Sequence, residues 1–129
     1  MTNLTGPAAL RNVNLLVSDV DRSRRFYAEV FGLAVDTRRS APPAMLILSA
    51  PGACTLSLKD RATEEPHKLA GSGDVELGFE TNDVDGCHAA ASAFGVTVGE
   101  VRELGFGRTF DLLDPDGHHL VVYALTERG

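Results

Sequence analysis

Two stretches of this 129-residue chain read alike. Val17-Ser18-Asp19-Val20-Asp21 leads through a helical segment to Phe31-Gly32-Leu33-Ala34-Val35. Thr81-Asn82-Asp83-Val84-Asp85 leads in the same way to Phe94-Gly95-Val96-Thr97-Val98. Asp83 follows Asp19 by 64 residues, and Gly95 follows Gly32 by 63. That period is too long for a solenoid repeat and leaves room for only two copies. The repeat therefore points to one small strand-helix-strand module built twice, with any site lying between the halves.

Periodicity fills in each copy. Asn12 to Ser18 alternates, with Val13, Leu15 and Val17 on one face, as a half-buried strand does. Asp19 or Asp21 offers a helix cap, Val20, Phe26, Tyr27, Val30 and Phe31 recur at helical spacing, and Gly32 closes the helix. Leu33–Arg39, Ala44–Ser49 and Cys54–Leu58 read as three further strands, punctuated by Pro42-Pro43 and Pro51-Gly52. In the second copy Val75, Leu77 and Phe79 alternate with polar residues across Asp74–Glu80. Asn82 or Asp83 caps a helix presenting Val84, Cys87, Ala91 and Phe94, which Gly95 ends. Val96–Glu103, Arg108–Leu113 and His118–Ala124 close the copy. Asp114-Pro115-Asp116-Gly117 is a hairpin turn signal, and Gly105-Phe106-Gly107 reads as another turn.

Each half is thus β-α-β-β-β, and the fold class is α+β. The chain is expected to form one domain over residues 1–129, with module 1 at about 11–58, a polar connection at 59–73 and module 2 at about 74–125. Each helix has to cover the apolar face of its own sheet, which leaves the opposite face to curve around something else.

Bulk properties exclude some functions. Eighteen acidic against twelve basic residues give a net charge of −6, without the basic stripe that a nucleic-acid surface needs. No apolar run approaches the roughly 20 residues that span a bilayer. Met1 to Pro7 has neither the basic start nor the apolar run of a signal peptide, so the cytoplasm is the expected compartment. Cys54 and Cys87 fall in different modules without CxxC spacing and read as buried thiols. No GxSxG, HExxH or phosphate-cradling glycine loop is present.

Asn12 through Ser23, followed by Phe26-Tyr27 and Phe31-Gly32-Leu33, resembles the opening of the vicinal oxygen chelate superfamily, and Asp114-Pro115-Asp116-Gly117 resembles its closing hairpin. That superfamily includes glyoxalase I, bleomycin-resistance proteins, fosfomycin-resistance enzymes and extradiol dioxygenases. The resemblance implies paired βαβββ modules whose curved sheets enclose a cleft, often in a homodimer. It also implies, in metal-dependent members, four ligand positions on the cavity face. These positions fall on Asn12, Ser57, Asp74 and Val121. Imidazole and carboxylate suit such a metal; serine and valine do not.

The site expected from these considerations is a ligand cleft lined by Asn12, Asn14, Ser57, Asp74, Glu76, Asp111, His119, Val121 and Tyr123. No cofactor is expected in it. The guest is a small molecule, and the acidic face favours a cationic or hydrogen-bonding one. The alternative is a lyase, isomerase or ring-cleaving dioxygenase holding Zn, Ni, Mn or Fe on a rearranged set of Asp74, Glu76 and His119. A third reading is a metal-free enzyme with Glu76 or His119 as general base. His118 and His119, adjacent on a strand, face opposite sides and cannot chelate together. His67 in the connection and His88 on a helix read as solvated or capping residues.

Overall fold

A computed structural model of the chain describes residues 7–52, 54–64, 66 and 75–126. Its strands and helices follow the repeat. The first half is β1 (Asn12–Val17), α1 (Val20–Phe31), β2 (Ala34–Val35), β3 (Met45–Ser49) and β4 (Thr55–Asp60). The second is β5 (Glu76–Glu80), α2 (Val84–Phe94), β6 (Arg102–Leu104), β7 (Gly107–Leu113) and β8 (His119–Leu125). Each half forms one four-stranded mixed sheet, ordered β1-β4-β3-β2 and β5-β8-β7-β6, with a single parallel pair in each. Two four-stranded sheets with two helices make the α+β architecture that the alternation implied.

The caps resolve as aspartates at matching places. Asp19 accepts from the Arg22 backbone N–H and Asp83 from that of Gly86, each satisfying a free donor of the first turn. Gly32 and Gly95 end their helices at φ of 71° and 99°, a left-handed conformation that favours glycine.

Several strand limits differ from the expectation. Only Ala34 and Val35 of the Leu33–Arg39 segment form a strand. The Asp36 carboxylate then accepts from the Arg38 and Arg39 amides, and Ser40 N–H returns to the Asp36 carbonyl, so the chain turns there. Val96–Glu103 pairs as a strand only from Arg102, with an isolated bridge at Val98–Leu112. β4 runs two residues past Leu58, because Lys59 and Asp60 continue the ladder against Leu16 and Val17. The connection accordingly begins at a short 3-10 turn, Arg61–Thr63. β5 opens at Glu76 rather than Asp74; Asp74 and His67 lie outside the described residues. Cys54 is exposed, in the loop ahead of β4, contrary to the reading of two buried thiols; Cys87 is half-buried.

The apolar faces of both halves meet in one core. Val17, Phe26, Tyr27, Leu48 and Leu58 of the first half and Phe110, Leu120 and Val122 of the second are fully buried. α1 packs on β3 and β4, α2 on β7 and β8, and the two helices pack on each other. Aromatic rings carry this junction: Phe26 meets Phe94 edge-on at 5.3 Å, and Phe31 stacks on Phe79 at 4.1 Å. Polar pins cross it as well. The Tyr27 hydroxyl donates to Asp114 Oδ2 at 2.7 Å, and the Ser18 hydroxyl donates to Asp116 Oδ1 at 2.7 Å. The DPDG turn thereby joins its hairpin to the opposite module.

Candidate ligand site

Covering one face of each sheet with a helix leaves the other for chemistry. On the first sheet the parallel register sets Asn12 beside Thr55 and Asn14 beside Ser57. The Asn12 amide oxygen accepts from Thr55 Oγ1 at 2.7 Å and from Ser57 Oγ at 3.0 Å, while its Nδ2 donates to Asn14 Oδ1 at 2.8 Å. Ser57 is 2% exposed. The side chains at the first two metal-type positions therefore satisfy one another, and Ser57 is sealed beneath them.

On the second sheet the parallel pair sets Glu76 beside His119, Gly78 beside Val121 and Glu80 beside Tyr123. Asp111 pairs with Val121 across β7 and β8 and forms a 3.3 Å ion pair with Arg102. Glu76, Asp111 and His119 line one cavity of about 340 Å³ with Thr97 and Gly99. All three are exposed, so the desolvation cost of an inward carboxylate does not arise at Glu76.

A larger groove of about 990 Å³ runs between the modules. Its apolar floor includes Val13, Phe31, Leu77 and Phe79, and its rim includes Thr55 and Glu80. Tyr123 is the member of the expected site set that borders it; Asn12, Asn14, Ser57 and Val121 do not. Of the expected residues, Asn12, Asn14 and Ser57 form an amide and hydroxyl cluster on the first sheet, Glu76, Asp111 and His119 line the acidic cavity on the second, and Tyr123 borders the groove. Val121 lies between Gly78 and Asp111 in the second sheet, and Asp74 is outside the described residues. Gly78, Glu80, Phe31 and Cys87 line the groove and were not anticipated. Gly78 had a signal, because it stands among the polar-face positions of Asp74–Glu80, where Glu76 and Glu80 flank it.

The donor set does not fit the family metal. Val121 offers no donor atom, and Ser57 is buried with its hydroxyl engaged by Asn12. Among the described residues no three His, Cys, Asp or Glu side chains converge; Asp74, the third member of the rearranged set with Glu76 and His119, lies outside them.

The other histidines have structural partners. His88 Nε2 bonds the Gly99 carbonyl at 3.0 Å, and its ring meets Phe110 edge-on. His118 Nδ1 lies 2.7 Å from Asp114 Oδ2. Burial by itself would push the Asp114 carboxyl up. The hydrogen bonds from His118 and Tyr27 outweigh it and hold the group below the usual carboxylate value. The same Asp114 bond raises His118 above its ordinary value, against partial burial.

Paired βαβββ halves joined through their helices, each with an open polar sheet face, define a class of duplicated cleft proteins. Within that class the chain belongs to the Glyoxalase/Bleomycin resistance protein/Dioxygenase superfamily, whose family model matches residues 9–122. Solved structures share the fold. One is a glyoxalase/bleomycin resistance protein/dioxygenase family enzyme from Burkholderia phytofirmans PsJN. It is 22% identical with a TM-score of 0.80, over 92% of this chain and 100% of that one. TnmS3, an antibiotic binding protein from Streptomyces sp. CB03234, is 23% identical with a TM-score of 0.73, over 95% and 100% of the two chains. Lactoylglutathione lyase from Agrobacterium tumefaciens is 21% identical with a TM-score of 0.68, over 92% and 94%. No curated protein matches the chain.

Proposed function

We propose that the chain binds a small organic molecule between its modules, without the metal centre typical of the family. The groove of about 990 Å³ carries this reading, since its apolar floor and polar rim are those of a pre-formed small-molecule site. The state of the metal-type positions supports it. The Asn12 amide oxygen is engaged by the Ser57 and Thr55 hydroxyls, and Val121 has no donor atom. An antibiotic binding protein of the same fold, TnmS3, gives a precedent for this use of the scaffold.

The assembly belongs to the same proposal. No hydrogen bond or ion pair among the described residues joins the polar face of one sheet to that of the other. A second copy, placed about a two-fold axis, supplies the opposite wall of each face. The cytoplasm is the compartment that suits a free thiol at Cys54.

Calorimetric titration of the purified protein with a panel of antibiotics, cationic glycopeptides included, tests the binding. Saturable heat at about one guest per site is the expected result. Elemental analysis of the same preparation is expected to find no stoichiometric metal. Stoichiometric Zn, Ni, Mn or Fe, lost in Asp74→Ala, would overturn the reading in favour of a metal-dependent lyase, isomerase or dioxygenase.

A further inference from the structure

β5 stands at the edge of its sheet, paired with β8 alone, and among the described residues nothing bonds its outer side. The groove borders Leu77, Gly78, Phe79 and Glu80 in unbroken succession. Successive side chains of a strand point to opposite faces, so a cavity that meets all of them runs along the strand's edge. The direction of the backbone groups follows from the ladder. Thr81 N–H donates to the Tyr123 carbonyl at 2.9 Å. By the two-residue alternation of a parallel pair, Phe79 and Leu77 turn their groups toward β8 as well. Glu76, Gly78 and Glu80 therefore turn their N–H and C=O groups outward, at intervals of about 7 Å. Gly78, the middle one, is exposed and has no side chain to hinder the approach of another backbone.

A row of open donors and acceptors is a template for one more strand. We propose that the groove takes a short extended peptide, which pairs antiparallel with the outer edge of β5 and adds a fifth strand to the second sheet. Antiparallel pairing is the more stable kind and sets guest residues directly opposite Glu76, Gly78 and Glu80. Basic side chains at those places meet the two carboxylates across the strands. The guest residues between them fall on the other face, beside Leu77 and Phe79, and are apolar. A strand of alternating basic and apolar residues thus meets both faces of β5 at once, through its edge. The carboxylates also disfavour a second copy of β5 as the occupant. Two such strands paired about Gly78 would set Glu76 opposite Glu80, and like charges directly opposite destabilise a sheet. This rests on the groove being a ligand site, as proposed above, and adds the backbone and side-chain pattern of the guest.

The test is titration of the isotope-labelled chain with the acetylated, amidated pentapeptide KVKVK, followed by NMR at near-physiological salt. Saturable binding is expected, with slowed hydrogen exchange at the Gly78 and Glu80 amides. The Phe79 amide, already bonded to β8, should be unchanged. The same peptide N-methylated at its three lysines keeps every charge and side chain but loses the N–H groups that face β5, and should bind about tenfold more weakly or worse. The peptide EVEVE should bind more weakly than KVKVK. Equal binding of the methylated peptide would reduce the effect to charge attraction and overturn the inference. Gly78 and Glu80 amides protected in the free protein would overturn it too, because the edge would already be covered by the chain itself or by a second copy. If KVKVK does not bind, the inference fails; the small-molecule reading fails with it only when the antibiotic panel is silent too.

Discussion

Asp114 accepts hydrogen bonds at both carboxylate oxygens while its side chain is fully buried. The Asp116 and His118 amides serve Oδ1, and Tyr27 Oη and His118 Nδ1 serve Oδ2. This saturation makes the two ends of the Tyr27 contact unequal. Tyr27→Phe leaves Asp114 with three donors and should cost about 1 kcal/mol. Asp114→Ala strands the buried Tyr27 hydroxyl and frees the turn, and should cost about 2–3 kcal/mol or more by urea denaturation. The same residues set a pH window. Asp114 is lowered in the folded state, so its stabilisation is present above the ordinary carboxylate value and is lost as pH falls through the folded one. His118 is raised, so its contribution is complete below the ordinary histidine value and is lost as pH rises through the folded one. Asp114, Asp116 and Arg61 are the charges that act on that imidazole. Thermal unfolding followed against pH should show greatest stability between those limits. His118→Gln should remove the decline on the alkaline side and leave the acid limb.

The elements were legible where a local rule fixes them and obscure where a neighbour does. Both helices, their aspartate caps and their glycine stops could be read from the repeat, because capping and left-handed glycine act within a few residues. The DPDG turn was equally readable, and Gly117 closes it by bonding the Asp114 carbonyl at 2.9 Å. β2 and β6 were overread. Their sequences are apolar enough to pair, but Asp36 turns the chain early and the Val96–Val101 stretch meets β7 only at one bridge. The site was legible in composition and not in arrangement. Sequence placed Glu76, His119 and Asp111 on one face, and they do line one cavity. It did not show that Asn12, Thr55 and Ser57 bond one another, since that depends on the β1–β4 register. Nor did it show that the groove is lined from the apolar side of β5. The aromatic stripe of α1 proves to belong to both modules, because Phe26 packs on Phe94 and Phe31 on Phe79. Phe26→Ala should therefore destabilise the whole chain by about 3–5 kcal/mol, in a single unfolding transition. Two separated transitions would show that the halves fold independently.

At the scale of the molecule, the duplication sets what the protein can be. Two sheets joined through their helices share a core and leave two polar faces, and the groove opens where the halves meet. A homodimer that pairs these faces should sediment at twice the chain mass in analytical ultracentrifugation, and a monomer at all concentrations would contradict the assembly. Family membership brings a scaffold shared by an antibiotic binding protein and a lactoylglutathione lyase. The residues at the metal-type positions, with Val121 lacking a donor atom and Ser57 buried against Asn12, support the proposal that this chain binds by shape and polarity. Calorimetric titration of chelator-treated protein, with and without added zinc, nickel, manganese or iron, tests that claim most directly. A guest from the antibiotic panel is expected to bind with the same affinity and stoichiometry in every condition. Binding that appears only when one of these metals is restored would contradict it.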